Sequence, residues 1–184
     1  MPGPAVLEGE RITLNTVEEE DLELLRDGVN DPSVRVSAGQ VLPSNGLQER
    51  EWFEETSTSK DVLQLLVVVD GEYDDHDDRR AGVIEFDPID RETGTVDVAY
   101  WLRPAFRRNG YAREALELMV DYAFAQLRIH RVSAAVYDFN EASMRLLESI
   151  GFTAEGVQRE NAYVDGRYCD THYFGLLEDE WNRG

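Results

Sequence analysis

The chain has 184 residues, of which 42% are hydrophobic, enough for one domain with a substantial core and too apolar for disorder. Its 38 acidic residues against 18 basic ones leave a net charge of −20, which disfavours nucleic acid as a partner. No apolar run approaches the roughly 18 residues of a membrane span, no basic-then-apolar leader opens the chain, and the single Cys169 excludes an internal disulfide and argues against a cysteine zinc site. The expectation is a cytoplasmic protein with no membrane partner and no metal.

Lys60 is the lone lysine; every other basic residue is arginine. An acidic excess of this size repels itself in dilute buffer, where charges as far apart as about 10 Å still interact. The composition resembles that of proteins from salt-loving microbes and predicts a halophilic fold that needs molar salt.

Residues 11–15 (RITLN) alternate polar and apolar and predict a first strand. Thr16 with Glu19 reads as a capping box. Leu22, Leu25 and Val29 then follow helical spacing, giving a helix over about residues 17–28. Asp31-Pro32 interrupts it, and the stretch to Gly46, with Gly39 and Pro43, reads as irregular. A second helix is expected over residues 44–55, with Trp52 and Phe53 packing on the sheet.

Residues 62–69 (VLQLLVVV) read as a strand buried on both faces. Residues 70–80 (DGEYDDHDDRR) read as a solvated hairpin tip rather than a metal site, because sequence neighbours on a turn do not all face one ion. Residues 81–86 return as a strand and residues 95–102 form the next, with Pro88 and Gly94 in the turn between. Residues 110–127 carry the strongest helix pattern, with Ala115, Leu116, Met119, Tyr122, Ala123 and Leu127 on one stripe. His130 follows it and reads as structural. Residues 132–137 alternate as a strand. Asn140 opens a helix that ends before Gly151 and buries Ala142, Leu146, Leu147 and Ile150. Two final strands meet at the Asp165-Gly166 turn.

One stretch departs from the acidic background. Between Asp97 and Glu114 no carboxylate occurs, while Arg103, Arg107, Arg108 and Arg113 fall there. The residues run from a strand through Pro104 into the Asn109-Gly110 turn and a helix. Gly110 permits close approach of a ligand to the backbone, and the free N–H groups of a first helical turn suit a pyrophosphate. The standard G-x-x-x-x-G-K-[ST] and G-x-G-x-x-G loops are absent.

Arg107-x-x-Gly110-x-Ala112 resembles the coenzyme A signature [QR]-x-x-G-x-[GA] of the GNAT acetyltransferase superfamily. Asn140-Glu141-Ala142-Ser143, Leu146-Leu147-Glu148 and Gly151-Phe152 are similar to its second motif. The tail from Glu160 to Trp181, with its turn at Val164-Asp165-Gly166-Arg167, resembles the Rim-type branch that acetylates protein N-termini. The resemblance runs from Gly9 to Trp181. It implies one α/β (α+β) GNAT domain over residues 1–184. Its central sheet would be mixed and mostly antiparallel, with about six or seven strands and helices on both faces.

The resemblance also implies an N-acetyltransferase that moves acetyl from acetyl-CoA directly to a primary amine, foremost a protein N-terminal α-amino group. The alternatives are a small-molecule amine as acceptor, or a non-catalytic acyl-CoA-binding regulatory module. By resemblance, main-chain groups around Leu102 and Arg103 hold the pantetheine arm. Arg107, Arg108, Asn109, Gly110, Tyr111, Ala112 and Arg113 form or flank the pyrophosphate turn, and Asn140 touches the coenzyme near its thiol end. The region of the second helix borders the acceptor pocket. Many relatives place a tyrosine acid one position after the Leu146 match; this chain has Leu147, which donates no proton. Ser143 matches the serine proposed as the acid of the Rim-type branch. Asp97 and Glu160 are the candidate bases. An α-amino group, with a pKa of about 7.7–8.0 against about 10.4 for lysine, is already partly neutral and needs only a water-relayed base. The exposed final strands are compatible with a homodimer.

Overall fold

In the computed structural model, which describes residues 2–40, 42–71 and 79–181, eight strands form one sheet. They are β1 (Ala5–Glu8), β2 (Ile12–Thr16), β3 (Leu63–Val69), β4 (Arg80–Asp90), β5 (Thr95–Leu102), β6 (Arg131–Tyr137), β7 (Thr153–Val164) and β8 (Arg167–Leu177). Their order across the sheet is β1-β2-β3-β4-β5-β6-β8-β7. All neighbours are antiparallel except β5 and β6, which run parallel. The helices are α1 (Leu22–Asn30), α2 (Pro32–Ser37), α3 (Gly46–Thr58), α4 (Tyr111–Gln126) and α5 (Glu141–Ile150).

The two faces of the sheet are read most directly from β3. Leu65, Val67 and Val69 join the core that contains Leu116 and Met119 of α4 and Leu147 and Ile150 of α5. The alternate residues Leu66 and Val68 meet Leu24 and Leu25 of α1 and Trp101 on the opposite face. A strand sandwiched this way needs an unbroken apolar run. Burying each of these side chains contributes roughly 1.5–3 kcal/mol. Gly28 brings α1 close to the sheet: a Cβ there would lie 2.1 Å from the Trp101 ring.

Several expectations are corrected. The mixed, mostly antiparallel sheet is present with helices on both faces, but it has eight strands rather than six or seven. The addition is β1, a four-residue, mostly exposed edge strand whose pattern is too short to read. The first helix starts later, after a 3-10 turn at Glu19–Asp21. The Thr16–Glu19 box does not form; the Thr16 hydroxyl donates to Glu18 at 2.6 Å, and Asp21 accepts from the Glu18 N–H at 3.0 Å.

The stretch after Asp31 is not wholly irregular, because Pro32 opens α2 and Asp31 accepts from Ser33 N–H as its cap. Asn45 with Gln48, rather than Ser44, caps α3. Pro88 lies inside β4, at a register shift between Phe86 and Ile89, instead of in the turn. Ala142 is exposed on α5, whose buried positions are Leu147 and Ile150. The hairpin tip read from Asp74, Asp75, His76, Asp77 and Asp78 lies outside the described residues. Among the described residues no helix is long and apolar enough to cross a membrane.

Candidate active site

The site originates in the one parallel pairing. β5 and β6 are in register only over Thr95–Asp97 with Arg131–Ser133. Beyond that point β6 continues against β8 through Tyr137, while β5 stays with β4 through Leu102. The two strands part, and a cavity of about 690 Å³ opens between them and the α1–α3 region. Ala99, Tyr100 and Trp101 line its β5 side, Ala134 to Tyr137 its β6 side, and Val29, Val34, Glu49 and Trp52 its helical wall. Trp52 is 37% exposed and faces this space rather than being sealed against the sheet. The expected packing of Trp52 on the sheet is corrected to a place on the cavity wall; the expectation that its region borders a pocket fits.

Asn140 and Ser143, at the first turn of α5, also line the cavity. Asn140 is the N-cap: its Oδ1 accepts from Ser143 N–H at 3.3 Å. The Ser143 hydroxyl meets the Tyr100 hydroxyl at 2.7 Å. Tyr100 comes from β5, and its phenol is pushed above its ordinary pKa by burial, with the Ser143 bond acting in the opposite direction. Leu147, one turn further along α5, is fully buried in the core.

Two carboxylates that the sequence reading missed belong to the cavity wall. Glu85 of β4 sits opposite Ala99 and accepts from Gln64 Nε2 at 2.7 Å. Burial raises its pKa; Gln64 opposes that shift, and the Asp87 charge adds to it. Glu49 of α3 is 4% exposed and accepts from the Ser44 hydroxyl at 3.0 Å. Its pKa is also raised by burial, against the Ser44 bond and the Arg26 charge. A single Glu inside a helix or strand carries no sequence signal in a chain with 38 acids.

The two expected bases lie elsewhere. Asp97 is exposed at the last position where β5 pairs with β6, outside the cavity lining. Burial raises its pKa, while Arg131 lowers it and Asp87 raises it further. Glu160 is exposed on β7 in a left-handed conformation at φ 50°, its N–H donating to Asp170, and it does not line the cavity.

At the other end of β5 the arginine segment forms a tight turn. Gly110 is the N-cap of α4 at φ 85°, a left-handed conformation that favours glycine, and the helix start has no side-chain cap. Such an N-terminus keeps its first N–H groups and positive dipole end for an anion. Arg107 Nε donates to Leu102 O at 2.8 Å, locking the turn onto the strand end. Arg108, at φ 65°, and Asn109 are exposed beside it. Arg11, whose role the sequence reading missed, reaches in from the bend just before β2 and donates to Asn109 O at 2.9 Å. Tyr111 lies under its guanidinium, at 5.4 Å.

Two other arginines turn away from this helix start. The Arg103 N–H donates to Ala81 O at 2.8 Å, and its guanidinium donates to Arg80 O at 2.8 Å and rests on Phe106. Arg113 donates to Ser149 Oγ and O at 2.9 and 3.1 Å and pairs with Glu117 at 2.8 Å.

An uncapped helix start beside parted parallel strands defines a class, and the comparisons agree with it. The chain matches the acetyltransferase (GNAT) domain over residues 11–153 and belongs to that family. It is 30% identical to the SPbeta prophage-derived uncharacterized N-acetyltransferase YokL of Bacillus subtilis, over 94% of this chain and 93% of that one. It is 27% identical to YdaF of the same species, whose name proposes a ribosomal N-acetyltransferase, over 94% of each chain. A similar solved structure is the spermidine N-acetyltransferase from Vibrio cholerae in complex with CoA and spermine. The TM-score is 0.85 at 20% identity, covering 92% of this chain and 97% of that one, a likeness of fold. The protein is an acetyl-CoA-dependent N-acetyltransferase.

Proposed function

We propose that this enzyme acetylates a primary amine that enters the cavity from the α1–α3 side, and that the amine is the α-amino group of a protein N-terminus. The observation that carries the site is the parting of β5 from β6, with Ser143 and Asn140 at its rim and an uncapped helix start along the same strand. The residues fit the coenzyme. The Gly110 turn, with Tyr111 and Ala112 N–H groups and the Arg107, Arg108 and Asn109 side chains, holds the pyrophosphate. Main-chain groups of β5 toward Leu102 accompany the pantetheine arm, and Asn140 lies toward the thioester. The Arg103 guanidinium serves the scaffold through its bond to Arg80, its expected part beside the pantetheine arm being a main-chain one, and Arg113 is held by Ser149. When bound, the coenzyme supplies an activated acetyl group.

The chain's own residues do the rest. Glu85, held by Gln64 and with its pKa raised by burial, takes the amine's proton through water, a role it fills better than Asp97 or Glu160 because it lines the cavity. Ser143 hydrogen-bonds the departing sulfur. The Rim-type reading of the acceptor is supported by the Ser143 match and by YdaF, a relative that aligns over 94% of both chains. A small polycationic amine is favoured by a separate observation, the buried Glu49 and the half-buried Glu85 on the cavity walls. It is in keeping with the spermidine N(1)-acetyltransferase of Vibrio cholerae, 26% identical over 71% of this chain.

The acidic surface supports a salt-rich cytoplasm as the setting. We read residues 1–184 as one catalytic domain. The test is thiol release from acetyl-CoA in molar KCl, over peptides beginning with Ala, Ser or Met and over spermidine, spermine and lysine. Turnover on peptides alone sustains the N-terminal reading, turnover on polyamines alone replaces it, and no turnover on any amine defeats both.

A further inference from the structure

The hydroxyl pair at the cavity rim carries an inference about how Ser143 is made competent, one that rests on the reading of Ser143 given above. We propose that Tyr100 is a positioning residue: its phenol donates to Ser143 Oγ and thereby aims the serine proton at the departing sulfur. The two oxygens are 2.7 Å apart, a normal O–H···O length, and either could donate. Chemistry decides the direction. A phenol is the better donor and an aliphatic hydroxyl the better acceptor, so Tyr100 gives its proton to the bond and Ser143 keeps its own free. Bonds in series polarise one another, and accepting from Tyr100 makes Ser143 a stronger donor than a lone hydroxyl.

The arrangement also accounts for Leu147. A tyrosine at that position of α5 would occupy the sealed core between α4 and the sheet, where Leu147 now packs. Here the phenol comes instead from β5 and meets α5 one turn earlier, at Ser143. Ser143 is fixed from its other side as well, because its N–H lies over Asn140 Oδ1.

No proton need leave Tyr100. In the transfer, the amine nitrogen bonds the acetyl carbon and the carbon–sulfur bond breaks with its electron pair on sulfur. The amine's proton departs by way of Glu85 and water. Sulfur is stabilised by the Ser143 hydrogen bond and takes its proton from solvent. Tyr100 remains neutral throughout, in keeping with a phenol whose ionisation burial opposes. Ile84 is its register partner on β4, and no carboxylate or guanidinium acts on Tyr100 among the described residues.

The test is a double-mutant cycle on the full chain, with kcat, KM and acetyl-CoA Kd measured for Tyr100→Phe, Ser143→Ala and the pair. We expect Tyr100→Phe to lower kcat about tenfold with Kd unchanged, and to cost nothing further in the Ser143→Ala background. An undiminished kcat in Tyr100→Phe, or an equal loss in both backgrounds, overturns the proposal. If Ser143→Ala itself is fully active, the reading of Ser143 fails first and this inference with it. A fluorinated tyrosine at position 100 keeps the shape and lowers the phenol pKa, so it guards against a folding defect. The alkaline limb of kcat should move to lower pH with the substituted phenol; a limb that stays in place also refutes the relay.

Discussion

Arg11 and Glu114 lie 103 positions apart in sequence and are joined twice: the Arg11 N–H donates to Oε1 at 2.8 Å and its Nε to Oε2 at 3.0 Å. Glu114 is the acid that ends the carboxylate-free segment, in the first turn of α4. Arg11 neutralises it and holds the Asn109 carbonyl, so the helix start stays open and positively biased. Arg11→Ala should therefore raise the acetyl-CoA Kd about tenfold, in line with the loss of one hydrogen bond to a charged group. Titration calorimetry of acetyl-CoA into both proteins measures it. An unchanged Kd would remove Arg11 from the coenzyme site.

Glu85→Gln separates stability from turnover. A carboxylate whose folded pKa is raised binds protons better folded than unfolded. The fold therefore loses stability as pH climbs from the unfolded pKa, about 4.3, through the folded one. At neutral pH the neutral glutamine removes that cost. The melting temperature should rise by about 2–4 °C for each kcal/mol recovered, and the gain should vanish below about pH 4. Turnover should fall at least tenfold if Glu85 accepts the proton. A variant that is stabilised yet fully active assigns the base elsewhere.

Gly28→Ala places a Cβ 2.1 Å from the Trp101 ring. α1 or the indole must move, at a cost of about 1–3 kcal/mol. Because both line the acceptor side of the cavity or support it, KM for the amine should rise while the acetyl-CoA Kd stays constant. A melting temperature equal to the parent's would show that α1 gives way freely.

The net charge of −20 makes a fourth expectation. Melting in molar KCl should lie about 10 °C above melting in 0.1 M salt, roughly 3 kcal/mol on the scale of a chain this long. A flat response would show that the acidic surface is not self-repelling in this sense.

Periodicity told most where burial is two-sided or one-sided along a whole element. The apolar run of β3, the stripe of α4 and the Asn140-to-Gly151 span of α5 all appear in the structure with nearly the expected bounds. It told least at edges. β1 has too few residues to alternate, and α2 is a single capped turn and a half between a proline and a glycine. The Gly110 turn was legible because a glycine-led helix start is one contiguous stretch of chain. The cavity was legible only in part, because Glu49 and Trp52 of α3, Glu85 of β4 and Tyr100 of β5 come from three separate places in the chain. Each looks like a surface acid or a core aromatic until the sheet brings them together.

The brief parallel pairing of β5 with β6 also divides the sheet into two ladders. β1 to β5 form one antiparallel set and β6 to β8 the other, each continuous within itself. Backbone openings should begin at the Thr95–Asp97 and Arg131–Ser133 amides before they reach the interior of either set. The cavity opens on this seam, where the fold can breathe without unravelling on either side.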